Sequence, residues 1–293
     1  MELSHCIDWL QYSVPIPEGA DPVSVIRASV PQHQSTQLTG EHGDNIQGYD
    51  TCLRLGVGRA HYHTKHPENK VSLQWSGNEM HNTAAEGLSA HEMIARSQVV
   101  GGKITRIDFA VDIRNSEAEL SEVLEELNNG GGETMAQSWG AYLGFKKVAG
   151  KVYPSGTIYI GATTSQRMVR VYDKGAQLGN GENWKRIELV SRQDAGQSIG
   201  VAMVSNDIGA TGRTALRFFY RSKLTWFESA CLSDAIYIAP ISERETNTVD
   251  WLLGAVLQTL DKELAIERKN GKKALYSAFN ALLHKHRKLI ADR

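Results

Sequence analysis

Three short stretches of this 293-residue chain carry residue types that can act on a phosphate together. The first is Thr105-Arg106-Ile107-Asp108-Phe109-Ala110-Val111-Asp112-Ile113. Read as a strand, it turns Ile107, Phe109, Val111 and Ile113 to one side and Asp108 and Asp112 to the other, because successive strand side chains alternate. Aspartate is depleted in strands, so two on one face of an apolar strand call for a reason. At about 3.3 Å per residue they stand roughly 13 Å apart. The second stretch joins residues 157–161 to residues 170–174 across a polar turn at 163–166. On its second strand Arg170, Tyr172 and Lys174 share a face, which sets a tyrosine between two cations, as a nucleophile for a phosphate requires. The third is Trp184-Lys185-Arg186-Ile187-Glu188-Leu189-Val190, with Ile187 and Leu189 on one side and Arg186, Glu188 and Val190 on the other.

If these strands pair centrally, the open face of the sheet gathers carboxylates from two strands and Arg170, Tyr172 and Lys174 from a third. Hard oxygen ligands suit Mg²⁺ or Mn²⁺. Such an ion would polarise a phosphate while the tyrosine attacks it. The competing structural account is a set of cross-strand ion pairs, such as Asp108 with Arg170, around an ordinary cross-strand aromatic. The same segment is locally basic. Lys146, Lys147, Lys151, Arg167, Arg170, Lys174, Lys185, Arg186 and Arg192 outnumber Asp173, Glu182 and Glu188, with Tyr153 and Trp184 interleaved. That composition suits a nucleic-acid groove with stacking platforms, or a solvated basic sheet edge.

The elements that must position these residues are legible in order. Residues 7–14 read as a strand ended by Pro15 and Pro17. Asp21 and Pro22 then open a helix. Residues 48–63 read as strand interrupted at Gly56 and Gly58, and residues 71–75 as another strand. Ser89 and Glu92 have capping-box spacing and open a helix to about residue 98. Residues 103–114 complete a β-α-β-β-α-β order, the split pattern of ferredoxin-like and RNA-recognition-like domains. In the second half, Ser116 and Glu119 are the expected cap of a helix carrying Leu120, Val123, Leu124 and Leu127. Strands are expected at 140–148, 152–161, 168–174, 184–192 and 213–221, with a helix over 193–204. From residue 241 two apolar stripes, Val249 to Leu264 and Leu275 to Leu283, predict a helical hairpin whose second helix is rich in Lys and Arg.

The fold expected is therefore α+β. Two ferredoxin-like or RNA-recognition-like halves, 1–115 and a catalytic half 116–240, build a curved antiparallel sheet with helices on one face, and a C-terminal helical hairpin follows at 241–293. Net charge is −1, which excludes a polycation that binds nucleic acid indiscriminately and requires any such site to be a local patch. Three widely spaced cysteines, Cys6, Cys52 and Cys231, follow no metal pattern and fit a reducing compartment. With no leader and no apolar run of spanning length, the expectation is a cytoplasmic protein without a membrane partner.

The sequences TRIDFAVDI, TIYIGATTSQRMVRVYDKG and WKRIELVSR together resemble the replication initiation factor family of rolling-circle plasmids and filamentous phages. The resemblance spans residues 108–192, and the strand layout before it is compatible. It implies an enzyme of DNA replication that nicks one origin strand, stays joined to the 5′ phosphate through a tyrosine, and later closes the strand with the help of a divalent metal. Carried over by motif, Tyr172 is the nucleophile and Lys174 a phosphate contact, and Arg170 on the same strand face is a further catalytic candidate. Asp108, Asp112 and Glu188 are the metal or acid–base carboxylates for Mg²⁺ or Mn²⁺. Single-stranded and duplex origin DNA, a host helicase and a second copy of the chain are the implied partners, in a bacterial cytoplasm. Tyr159 is the runner-up nucleophile.

Two alternatives stand beside this reading. His61-Tyr62-His63 spells His-hydrophobic-His, the metal-binding signature of another class of rolling-circle nucleases, and would move the metal to His61 and His63. A non-catalytic origin-binding or regulatory protein would keep the basic sheet without needing the ordered tyrosine and carboxylates.

Overall fold

Alternation in the stretch around Asp108 sets the middle of the molecule, because one face of that strand must be covered. The computed structural model describes residues 1–30, 38–41, 49–64, 70–85, 89–148, 150–180, 182–232 and 236–238. They fall within one compact unit, Met1–Ile241. The expected helical hairpin over 241–293 lies outside the described residues.

In chain order the elements are β1 Glu2–Pro15, α1 Pro22–Ser29, β2 Leu38–Glu41, β3 Thr51–Leu55, β4 Gly58–Tyr62 and β5 Lys70–Trp75. Then come α2 Gly77–Ala85, α3 Ala90–Val99, β6 Lys103–Arg114, α4 Leu120–Asn128, β7 Glu133–Thr134, β8 Trp139–Val148 and β9 Lys151–Ile160. The unit continues with β10 Arg167–Asp173, α5 Lys174–Leu178, β11 Trp184–Arg192, α6 Gln193–Ser205, α7 Ile208–Phe219, β12 Tyr220–Arg221 and α8 Thr225–Cys231. Ten strands form one open, curved antiparallel sheet in the order β2-β3-β4-β5-β1-β6-β11-β10-β9-β8. β7 and β12 pair separately. The fold is α+β, with the helices gathered on one face.

The sheet runs unbroken from the first half of the chain to the second through the β6–β11 pairing. In the first half β1 lies between β5 and β6, and the β2–β3 pair extends the edge beyond β4. In the second half β8, β9, β10 and β11 run as a plain meander, each beside its sequence neighbour.

Ile107, Phe109, Val111 and Ile113 are all buried under the helices, as are Ile187 and Leu189 of β11 and Val169 and Val171 of β10. Each such side chain contributes about 1.5–3 kcal/mol of transfer free energy. Close approach of α6 and α7 depends on two glycines. A Cβ on Gly200 would strike the Ile104 side chain, and one on Gly212 would fall on the Phe109 ring.

Local signals placed most helices. Asp21 caps α1 with Pro22 in its first turn, and Ser89 with Glu92 forms the capping box of α3. Two expectations change. The helix expected from Ser116 starts at Leu120, where Glu119 and Glu122 form the box. Ser116 instead accepts a hydrogen bond from the Ala118 amide in a tight turn. The strand expected over 213–221 is mostly the helix α7. Leu216, Phe218 and Tyr220 alternate like a strand, but Thr211, Gly212, Ala215, Leu216 and Phe219 are the buried set, at helical spacing. Only Tyr220–Arg221 extends, to pair with β7. Among the described residues no helix is long and apolar enough to cross a membrane.

Candidate active site

Register arranges the uncovered face of the sheet as a grid. Arg186 of β11 lies opposite Asp112 of β6 and Tyr172 of β10. Glu188 lies opposite Ala110 and Arg170, and Val190 opposite Asp108 and Met168. Glu188 is therefore the middle of the pattern, one row from Asp112 and one from Asp108. The small side chain of Ala110 beside it leaves room for the longer groups around. β1 adds to this face through a bulge. Its register with β6 shifts between Ile7 and Trp9, which brings Asp8 as well as Trp9 to the same side.

The groups interlock. Tyr172 Oη donates to Glu188 Oε2 at 3.1 Å. Arg170 pairs with the other carboxylate oxygen of Glu188, and its Nη2 stands 3.6 Å from Asp108 Oδ2. Arg106 grips Asp108 with two bonds, Nε to Oδ1 at 2.9 Å and Nη2 to Oδ2 at 2.5 Å, while its guanidinium lies 4.2 Å from the centre of the Trp9 ring. In the opposite row Arg186 forks onto Asp112, at 2.7 and 2.8 Å, and also pairs with Asp8. The Trp184 indole donates to Asp112 Oδ1 at 2.7 Å. The ion pair of Arg170 with Asp108 expected from the sequence is thus present, as one edge of a larger net.

Burial gives this net its chemistry. Asp108 and Glu188 are each 1 % exposed and Tyr172 is 8 % exposed. Loss of water pushes the Glu188 carboxyl up to about 7; the pull of Arg170 opposes this, and Asp108 and Asp8 add to it. Desolvation and the neighbouring Glu188 also raise the Tyr172 phenol well above its ordinary value. A tyrosine held neutral needs a base to become a nucleophile, and Glu188 is the group that accepts its hydrogen bond. Lys174, the first residue of α5, brings its ammonium within 5.9 Å of the Tyr172 ring centre and donates to Gln177. Burial and Arg186 lower its pKa. Asp173 fixes this turn, capping α5 through the Ala176 amide with one oxygen and holding Lys185 at 2.9 Å with the other. A cavity of about 760 Å³ opens beside the net, with Asp8, Lys174, Trp184, Arg186, Asn78 and His81 in its wall.

The structure brings Tyr172, Arg170, Glu188 and Asp108 into direct contact and places Lys174 at their rim. Asp112 joins the net through Arg186. Tyr159 of β9 pairs in register with Arg170 and is half-buried, one strand outward from Tyr172. His61 and His63 are elsewhere. His61 lies in β4 and His63 just past its end, and β4 is five strand spacings from β10, about 24 Å. His61 is buried beside Tyr49, with neither ring nitrogen hydrogen-bonded, and burial lowers its pKa.

Sequence reasoning missed Asp8, Trp9 and Arg106 as members of the site. Arg106 was visible within the Asp108 stretch. Nothing in the sequence of β1 announces its bulge.

Among the described residues no group of three or more His, Cys, Asp or Glu is arranged to hold a metal. Asp112 has both oxygens engaged by Arg186, and it stands on the far side of Glu188 from Asp108. Asp108 and Glu188 do share a cation already, since Arg170 Nη2 lies between their carboxylates. Both oxygens of Asp108 are likewise engaged by Arg106, and those of Glu188 by Tyr172 and Arg170, so the pair fits a hard divalent ion in donor type alone.

The open antiparallel sheet with helices on one face is a fold that a solved structure shares. The structure of a rolling circle replication initiator protein from Geobacillus stearothermophilus is similar to this chain with a TM-score of 0.61 and 18% identity, covering 81% of this chain and 94% of that one. At that identity the likeness is one of fold. No curated protein matches the chain. Residues 102–216 match the sequence model of the family described as replication initiation factor. The matched span takes in Asp108, Asp112, Tyr172 and Glu188 and leaves out Asp8.

Proposed function

We propose that this protein initiates rolling-circle DNA replication by nicking one strand of its origin through Tyr172 and later closing it. The observation that carries the proposal is the buried hydrogen bond from the Tyr172 hydroxyl to Glu188, a carboxylate poised by burial near neutral pH. In the step proposed, the Tyr172 oxygen bonds to a backbone phosphorus and the bond to the 3′ oxygen breaks. The phenol proton passes to Glu188, which returns it to the departing 3′ oxygen. Closing is the reverse, with a 3′ hydroxyl attacking the phosphotyrosine.

Arg170 and Lys174 flank the tyrosine and neutralise the phosphate as it approaches. Asp112 holds Arg186 in place, and Asp108 does the same for Arg106. Asp108 and Glu188 are the residues that would hold a Mg²⁺ or Mn²⁺ ion, which would supply further positive charge to the phosphate. Single-stranded and duplex origin DNA are the substrates in this reading. A host helicase and a second copy are partners of the later replication steps, in the bacterial cytoplasm.

The test is to mix the protein with Mn²⁺ and a labelled pool of single-stranded oligonucleotides and look for a covalent adduct on a denaturing gel. Wild type should form it and Tyr172→Phe should not. No adduct from wild type under any divalent ion would leave only the DNA-binding part of the proposal.

A further inference from the structure

Beside the proposed nicking site, the two outermost strands on this edge of the sheet, β9 and β8, run on past the end of β10. β8 and β9 pair along their whole length, from Trp139↔Ile160 to Val148↔Lys151. β10 pairs with β9 only over residues 157–160. Six residues of each strand, 143–148 and 151–156, therefore continue as a two-stranded ribbon without β10 beside them. Its root rests on α4, where Gly156 lies against Leu120. Leu143, paired with Gly156 at that root, is 62% exposed, and farther out Phe145 is 77% and Val152 62% exposed. A lone two-stranded ribbon gains little stability from exposed apolar groups, so this one calls for a partner.

Charge says which partner. From residue 135 to residue 172 the sequence holds no Asp or Glu, whereas Lys146, Lys147 and Lys151 sit around the ribbon's turn. In a chain of net charge −1 this is a marked local excess of positive charge. The major groove of duplex DNA, about 12 Å wide and 8.5 Å deep, admits a two-stranded ribbon. Position adds a third argument. Thr157, where the ribbon leaves the sheet, is the register partner of Tyr172. Six residues of strand reach about 20 Å, close to six base-pair steps of 3.4 Å.

We infer that the β8–β9 ribbon is a duplex-DNA-binding arm that docks in the major groove within about one helical turn of the strand presented to Tyr172. The inference rests on the nicking proposal for the role of Tyr172, but the arm itself is testable without it. Leu143, Phe145 and Val152 supply apolar contact to thymine methyl groups, and the lysines meet phosphates.

The experiment uses the full chain, a random-sequence 30-base-pair duplex and a random-sequence 30-nucleotide single strand as probes, and fluorescence anisotropy across 50–200 mM salt. One variant carries Lys146→Gln, Lys147→Gln and Lys151→Gln, and a second replaces residues 146–151 by Asn-Gly to shorten the ribbon. Both should bind the duplex with a slope of log affinity against log salt shallower by about 2.7, the value for three phosphate contacts. Adduct formation on single strands should stay within twofold of wild type. An unchanged duplex slope in both variants overturns the arm. So does a third variant, Phe145→Ser, that converts a dimer to a monomer on light scattering while duplex binding is unaltered, because the ribbon is then a contact between copies. Failure of the nicking proposal looks different: wild type forms no adduct, while the duplex slopes still separate.

Discussion

Glu188→Gln is the sharpest test of the site, because it keeps the shape and removes one proton-accepting charge. In the wild type the Tyr172 hydroxyl donates to Glu188 Oε2 at 3.1 Å, and the carboxyl is pushed up to about 7 by burial. A positioned general base contributes roughly 10²–10⁴-fold, or about 3–5 kcal/mol of barrier. The first-turnover rate of adduct formation should fall by that factor. The pH profile should change too. Glu188 accepts a proton only when ionised, so the wild-type rate should rise with pH through the Glu188 titration and level off above it, whereas the variant should lose this inflection. Stability gives an independent check. The folded carboxyl titrates above its unfolded value of about 4.5, so the native state binds more protons between the two. Wild-type stability therefore declines as pH rises through that window, and the variant should lack the decline. Arg170 keeps Asp108 at 3.6 Å, so the net loss of stability from the substitution should not exceed about 3 kcal/mol. The assay is quenched-flow gel analysis with Mn²⁺ from pH 5 to 9, alongside thermal melts at each pH. An adduct rate within threefold of wild type, with the same inflection, would refute the base assignment.

Tyr172→Phe should abolish the adduct with a melting temperature within a few degrees of wild type, while Tyr159→Phe should retain it; the opposite ranking on a denaturing gel moves the nucleophile to β9. Asp108→Asn should weaken metal-dependent cleavage at least tenfold and lower Mn²⁺ affinity by calorimetry, whereas His61→Ala with His63→Ala should leave cleavage within about threefold, since they stand about 24 Å away. Gly212→Ala forces a methyl against the Phe109 ring and should cost about 1–3 kcal/mol in urea denaturation; an unchanged midpoint would show that α7 can slide.

Much of this site was legible because strand alternation is a rigid rule. Asp108, Glu188, Arg170 and Tyr172 share a face for no other reason than their parity in β6, β11 and β10, and the pairing of those strands was guessable from their apolar partners. Parity could not reveal which charges touch. Asp112 obeys it as well as Asp108, yet it is held by Arg186 and Trp184, because long side chains choose among neighbours two residues and one strand away. Asp8 was invisible for a different reason. A bulge breaks parity, and no residue type in β1 marks it. The helix α7 was misread where an exposed Phe218 mimicked strand alternation, and burial of residues three and four apart decided otherwise. At the sheet's other end, Gly56 and Gly58 were read as a bend; Gly56 and Val57 form the turn of the β3–β4 hairpin, and Gly58 opens β4 opposite Leu55.

The place of β1 in the sheet sets when this protein can exist at all. It precedes the strands it pairs with, since its neighbours β5 and β6 lie about 60 and 100 residues downstream, and the strand beyond β6 is β11. Closing such long loops is slow and postpones the reward for β1 until late in synthesis. At translation rates of about 5–20 residues per second, residue 192 leaves the ribosome on the order of ten to forty seconds after residue 1. Until then Asp8 has no Arg186 and Tyr172 no Glu188. A nascent fragment therefore lacks the assembled net, and the apolar faces of β1 and β6 are the segments a chaperone would meet first.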